Sequence, residues 1–318
     1  MPFRSGVVDE VVPLARDVEA AVRIGREAVI GRPWIGSRGP ELADRFEAGA
    51  RAGNRQGALF RPGDRAVGIA TWEAHGPLGS LLDLWFLEPT VASVEAYRRF
   101  WDGIRGLAGP IAFAPGQIPG LTGSEEERLM VGLGLARFGR SEMCWRDGVP
   151  LPPAELPSGG SLRPVGRGDA AELCRLHRIA YHARFDRYLF IEEEDEERDA
   201  SRMVQDLFDG RWGAVVDEGS RAIEVDGRLV GAVLSVRRSE GVLIADVMVD
   251  PALQGRGIGK ALLAGTLRAL HGAGRLPVYL NVTEGNSRAV RLYEGLGFVR
   301  SLGPSVDWYD PRLIPVPP

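Results

Sequence analysis

Two periods of hydrophobic and polar positions meet between residues 242 and 298, and the elements they predict organise the chain. Val242 to Val249 is an apolar, β-branched run broken only by Asp246, which predicts a buried strand ending at Asp250-Pro251. From Lys260 to His271 the leucines at 262, 263, 267 and 270 have helical spacing, and Gly272 and Gly274 supply the stop. Pro277 to Thr283 predicts the next strand. Asn286 to Leu296 predicts a last helix, with Asn286 placed to cap it. Upstream, Leu162 to Val165 reads as a short strand, followed by a helix from Asp169, whose carboxylate can cap it, to about His182. Ala183 to Ile191 reads as a loop dense in arginine and aromatic residues, suited either to surface packing or to specificity. Glu192 to Glu197 opens a further helix, where acids favour the positive end, and Asp226-Gly227 is a hairpin turn between alternating strands.

The first half repeats the second. Arg65-Ala-Val67-Gly68 matches Arg228-Leu-Val230-Gly231 at a shift of 163 residues, and Gly132-Leu-Gly134 matches Gly295-Leu-Gly297 at the same shift. Arg137, Trp145 and Asp147 pair with Arg300, Trp308 and Asp310 in the same way, while Leu81 to Pro89 matches Leu243 to Pro251 at a shift of 162. One shift through so many positions indicates two tandem copies of a whole domain. The sequence therefore divides into a first copy at 1–149, a linker at 150–161 that holds Pro152, Pro153 and Pro157, and a second copy at 162–318.

Between the predicted strand and helix lies Gln254-Gly255-Arg256-Gly257-Ile258-Gly259-Lys260. A helix start leaves backbone N–H groups unpaired and carries partial positive charge, so it holds an anion well, and phosphate is the natural occupant. Glycines at 255, 257 and 259 remove the Cβ atoms that would keep a pyrophosphate away, while Arg256 and Lys260 can add charge. A P-loop would need Gly in place of Gln254 and Ser or Thr in place of Ala261. A dinucleotide fingerprint would need a small residue in place of Lys260 or Leu262. The first copy has Thr90 to Phe100 here, a good helix with no glycine loop, and Gly123 and Met130 where Asn286 and Tyr293 stand.

Gln254, Gly257 and Gly259 fit the pattern Gln/Arg-x-x-Gly-x-Gly/Ala, which resembles the acyl-CoA pyrophosphate loop of the GCN5-related N-acetyltransferase (GNAT) family. Asn286, Ala289, Leu292, Tyr293, Gly297 and Phe298 are similar to that family's second signature, in the correct order and distance. The resemblance implies an α/β protein of two tandem GNAT-like domains, each a mixed, mostly antiparallel sheet flanked by helices. The first copy would be degenerate and the second active. It implies acetyl-CoA as co-substrate and direct attack of an amine on the thioester, through a tetrahedral intermediate. It further implies that the backbone of Val247, Met248 and Val249 holds the pantetheine arm, with the Met248 or Val249 N–H near the thioester oxygen. Residues 254–260 would hold the diphosphate, Asn281 and Asn286 would face the CoA arm, and Tyr293 would stand at the general-acid position.

The base stays open. Family members with a catalytic glutamate carry it where Leu243 or Asn281 stands here, and neither residue takes a proton. Asp246 is the one ionisable side chain on the strand core. Burial would raise its pKa toward a useful value, but it could also bond a neighbouring strand or face solvent. Glu224, Glu284 or a water chain are the other sources. A non-catalytic acyl-CoA sensor or interaction module is the alternative to an enzyme.

Composition narrows the field. With 318 residues, 44% hydrophobic content and a formal charge of −4, the chain fits about two ordinary domains. Mild acidity without a basic run speaks against nucleic acid, and no apolar run approaches the roughly 20 residues of a membrane span. The start lacks a signal peptide's pattern, so the cytoplasm is the expected location. Cys144 and Cys174 read as buried reduced thiols, and four scattered histidines point to no metal site. The expected partner is a small-molecule or peptide amine, and the oligomeric state is not encoded in any pattern here.

Overall fold

The computed structural model describes residues 10–30, 39–151, 153, 155–182, 184–301 and 305–314. Its described residues form two compact units, one built from 10–138 with 306–314 and the other from 139–305.

In the first unit, β1 (Val11–Pro13) leads into helices α1 (Val18–Ile30) and α2 (Gly39–Arg51). Strands β2 (Gln56–Phe60), β3 (Gly68–Ala74) and β4 (Ser80–Leu87) follow, then α3 (Val94–Ala108), β5 (Ile111–Pro115) and α4 (Gly123–Gly132). β1 to β4 pair antiparallel in sequence order, and β4 and β5 are parallel. Strand β6 (Ala136–Trp145) begins in this unit, and its residues from Gly139 onward belong to the other.

The second unit continues with β7 (Gly160–Pro164), α5 (Ala170–Tyr181), α6 (Phe185–Tyr188) and α7 (Glu196–Phe208). A hairpin of β8 (Arg221–Val225) and β9 (Arg228–Arg237) turns on Asp226 and Gly227, at φ 50° and 77°, which is the conformation an Asp-Gly hairpin favours. β10 (Val242–Val249), α8 (Ile258–Gly272), β11 (Val278–Thr283), α9 (Ser287–Gly295) and β12 (Val299–Arg300) complete it. β7, β8, β9 and β10 pair antiparallel in order, β10 and β11 are parallel, and β11 pairs antiparallel with the 140–145 part of β6. Each unit is thus the mixed, mostly antiparallel sheet with flanking helices that the family resemblance implies. One face of the second sheet buries Leu262, Leu263, Leu267 and Leu270 of α8, and the other packs Leu173 and Leu176 of α5 with Val204 and Leu207 of α7.

A division at the linker does not reproduce these units. Residues 139–145 precede the linker yet pair with β11, and Asp307 to Tyr309 of β13 (Ser305–Tyr309) pair with Pro115 to Phe113 in the first unit. The buried Trp145 donates its indole N–H to the Leu296 carbonyl at 3.1 Å in the second unit, and Trp308 donates to Glu126 at 3.0 Å in the first. The last strand of each copy has been exchanged. Pro152 and Ala183, which fall in the linker and the expected loop, lie outside the described residues, as do the ends 1–9 and 315–318.

Two local readings change. Asp169 does not cap α5; its carboxylate takes two bonds from Arg163, at 2.8 and 3.0 Å, and one from the Gly166 N–H at 2.9 Å. A guanidinium fork outcompetes a cap bond when both are in reach. The segment expected as a loop holds the short helix α6. Asp195, by contrast, caps α7 through the Glu197 and Arg198 N–H groups, with acids in the first turn as expected.

The exchange makes a prediction. A fragment beginning at Pro150 lacks the strand that covers the edge of β11, whereas one beginning at Gly139 retains it. The longer fragment should give a cooperative thermal unfolding transition by circular dichroism and the shorter should give none; equal transitions would show that residues 139–145 are dispensable.

Candidate active site

β10 and β11 are paired only at their starts, from Val242 with Val278 to Ile244 with Leu280. Past that point β10 keeps its partner β9 and loses β11, so one edge of its backbone is released into a cavity of about 530 Å³. Which groups point there follows from register. The Asp250 N–H bonds the Val230 carbonyl at 2.9 Å, and Val249 stands opposite Gly231. Alternation along an antiparallel pair then turns the Met248 N–H toward Ala232 and the Val249 N–H toward the open edge.

The first unit repeats the geometry with a different ending. Glu88 bonds Val67 as Asp250 bonds Val230, at 2.8 Å, and the Leu87 N–H, counterpart of Val249, donates to the Tyr97 hydroxyl at 3.0 Å. Tyr97 in turn donates to the Pro119 carbonyl at 3.0 Å and packs edge-on against Trp85. A side chain from α3 fills the gap there. The start of α3 is also closed, since the Ser93 hydroxyl accepts from the Ala96 N–H.

In the second unit the corresponding helix start is bare. Gly257 is the N-cap of α8 at φ 81° and has no side chain to cap with, and Gly255 has φ 86°. Both conformations favour glycine, and a Cβ at Gly257 would project into open space rather than into packing. The loop is held by Gln254, whose amide donates to the Val249 carbonyl at 3.3 Å and accepts from Arg288 at 2.8 Å. That bridge gives the motif's glutamine a structural role that its spacing alone does not show.

The cavity gathers most of the residues expected from sequence. Asp246, Val247, Val249, Gln254, Gly255, Gly257, Ile258, Gly259, Lys260, Asn281, Asn286 and Tyr293 all line it. Met248 and Arg256 do not: Met248 is fully buried against α5 and α7, and Arg256 is exposed on the loop. Asn286 caps α9 by accepting from the Ala289 N–H at 3.2 Å while its residue borders the cavity.

Asp246 owes its position to a bulge. Ile244 stands opposite Ser235 and Asp246 opposite Leu234, so Ala245 is an extra residue. One inserted residue resets the alternation and sends Asp246 to the α5 face. Its carboxylate is 6% exposed; Oδ1 accepts the Tyr181 hydroxyl at 2.5 Å, and Oδ2 is buried without a partner among the described residues. Burial pushes this carboxyl above its ordinary range, opposed by His177, Tyr181 and the Val247 N–H. Asp186 of α6 accepts from the Thr283 hydroxyl nearby.

Tyr293 reaches the cavity from α9 and is 8% exposed. Burial first, then the charges of Asp246 and Asp186, raise its phenol well above the ordinary value. The group is a neutral donor at any physiological pH. Glu224 and Glu284 are engaged elsewhere, with Arg163 at 2.8 Å and with Arg300 at 3.0 Å, and neither lines the cavity.

Sequence reasoning missed His177 and Tyr181. They lie four residues apart on α5, in line with buried Leu173, and a polar pair continuing a buried stripe was the available signal. It also missed Arg140, because that residue arrives with the exchanged strand.

The splayed parallel pair and the glycine loop opening a helix are the arrangement that the resemblance to acetyltransferases implies. Residues 172–298 match the sequence model of the acetyltransferase (GNAT) family. Over 204 residues the chain is 31% identical to the mycothiol acetyltransferase of Thermobispora bispora, covering 61% of this chain and 64% of that protein, so the match spans just under two thirds of that relative. Over 300 residues it is 29% identical to the mycothiol acetyltransferase of Streptomyces coelicolor, covering 90% of this chain and 87% of the other. The crystal structure of a GCN5-related N-acetyltransferase from Sphaerobacter thermophilus superposes with a TM-score of 0.60 at 19% identity, over 94% of this chain and 95% of that one, which shows a common fold.

The buried carboxyl of Asp246 predicts a pH-dependent stability. A carboxyl whose folded pKa is raised binds its proton more tightly in the folded state, so its contribution is favourable at low pH and is lost as pH rises from the ordinary carboxylate range through the folded value. Asp246→Asn removes that loss. The melting temperature of the variant relative to the native protein should therefore climb as pH rises above the ordinary carboxylate range. A difference that stays flat over that rise, measured by differential scanning calorimetry, would show that Asp246 does not titrate with folding.

Proposed function

We propose that the unit of residues 139–305 transfers the acetyl group of acetyl-CoA directly to an amine. The observation that carries this reading is the continuity of one cavity from the bare start of α8, along the released edge of β10, to Asp246, whose Oδ2 is buried without a partner among the described residues. The first-turn N–H groups of α8, with Lys260 and Arg288 beside them, suit a diphosphate. The Val249 N–H is oriented to bond the thioester oxygen and to stabilise it as it becomes an oxyanion, a role the Met248 N–H is turned away from.

In this reading Asp246 accepts a proton from the attacking amine through Oδ2, as the nitrogen–carbon bond forms and the carbon–sulfur bond breaks. Its raised affinity for a proton suits a general base better than an ordinary carboxylate would. Tyr293 holds the departing thiolate by a hydrogen bond and keeps its own proton, because a phenol raised this far is a far weaker acid than a thiol. The thiolate then takes its proton from solvent. The first copy, with Leu87 bound by Tyr97 and the α3 start capped, has a structural role in this scheme. Cys144 and Cys174 as free thiols suit a cytoplasmic location. Because the similar proteins are mycothiol acetyltransferases, amines of that type are the first acceptors to test, followed by small-molecule and peptide amines.

Free-thiol release with acetyl-CoA and an amine panel tests the proposal. Asp246→Asn should lower kcat by about 100-fold or more. Tyr293→Phe should lower it by about tenfold, the worth of one hydrogen bond to a charged group, and leave the affinity for CoA within about threefold. Thermal stabilisation by CoA with no turnover on any amine would instead mark a sensor.

A further inference from the structure

We propose that Tyr181 is the positioning residue for Asp246: its hydroxyl occupies Oδ1 and leaves Oδ2 as the single carboxylate oxygen that can receive the acceptor's proton. This rests on the reading of Asp246 as the base. A carboxylate rotates about its last bond and offers two equivalent oxygens unless something distinguishes them. Here the 2.5 Å bond from Tyr181 does so, and Oδ2 is left buried in the cavity wall with no hydrogen-bond partner among the described residues. A buried, unsatisfied carboxylate oxygen is costly in the empty protein, and it becomes satisfied when an N–H of the acceptor arrives.

Tyr181 is itself held in place. It ends α5, one turn beyond His177, and their rings lie 4.7 Å apart at 33°. Burial lowers the His177 pKa, with Arg187 acting in the same direction against Asp246 and Asp199. Tyr181 stays protonated through its own burial and its bond to Asp246. The groups facing Asp246 are therefore His177 and Tyr181 from α5, Asp186 from α6, Tyr293 from α9 and the Val247 N–H from its own strand. Among these side chains, Tyr181 alone has a hydrogen bond to the carboxylate.

The Tyr181 bond stabilises the charged carboxylate, so its removal raises the Asp246 pKa and moves the acidic limb of the kcat/KM profile to higher pH. Tyr181→Phe keeps the ring and removes only the hydroxyl. At saturating acetyl-CoA, kcat/KM for the acceptor should fall about tenfold near pH 6.5 and much less near pH 9, while KM for acetyl-CoA stays within about twofold. Site-specific 3-fluorotyrosine at 181, a stronger donor of nearly the same shape, should move the limb the other way and serves equally if the phenylalanine variant does not fold.

The outcomes separate the two claims. If Asp246→Asn keeps the native rate and pH profile, the base reading fails and this inference fails with it. If Asp246→Asn is inactive but neither Tyr181 substitution moves the acidic limb, or both lower the rate equally at every pH, Asp246 stands as the base and Tyr181 is only a packing residue.

Discussion

The site depends on a strand that loses its neighbour. Past Ile244, β10 has backbone groups on one edge that no other strand reaches, and buried backbone polar groups left unpaired cost about as much as a lost hydrogen bond each. The two copies answer this constraint in opposite ways. In the first, Tyr97 swings from α3 to accept from Leu87, and aromatic packing among Trp85, Tyr97 and Trp101 fills the space. In the second, Gly257 is the N-cap of α8 as Ser93 is of α3, and Ala261 stands four residues on as Tyr97 does, so among the described residues no side chain caps the helix or takes the Val249 N–H. The same splay is a sealed joint in one unit and an open cleft in the other, and a few side chains decide which.

The bulge at Ala245 adds chemistry to that geometry. Without it Asp246 would continue the alternation of Leu243 and Ile244 and project toward the α8 side. With it, Ala245 and Asp246 lie on the same side, and the carboxylate meets Tyr181 at the root of the splay. Strand separation and side-chain redirection thus occur within two residues of each other. A bulge weakens local pairing, so placing it where pairing is already ending concentrates the irregularity in one spot.

Much of this was legible in the sequence because it is local. Strand, glycine turn and helix over 242–272, the Asp226-Gly227 hairpin and the Asn286 cap each depend on neighbours a few residues away, and the repeat was visible because its shift is nearly constant. The exchanged strands were not legible. The end of each copy has the same pattern, so either strand satisfies either sheet, and only long-range pairing decides between them. Nor was the bulge: one polar residue in an apolar run reads the same whether the strand is regular or not. Asp169 misled because a good capping residue lay within reach of Arg163, whose position depends on β7 pairing with β8. Met248 was grouped with its neighbours since the sequence does not reveal which N–H groups face β9.

Charges of both signs line the cavity. Lys260 and Arg288 lie with the glycine loop, and Asp246 and Asp186 lie on the side of α5 and α6 together with Arg184 and Arg187. Tyr293 borders the cavity and feels both carboxylates. Burial first, and then each of those charges, makes the phenol harder to ionise, so in the proposed reaction Tyr293 is a poor proton donor to a thiolate. The two functions, taking a proton at one end and giving one at the other, are therefore coupled through the field, and strengthening the base weakens the acid. A hydrogen bond escapes that conflict: a phenol that keeps its proton still stabilises a neighbouring negative charge, and the burial and carboxylates that hold it neutral keep it in the donating state.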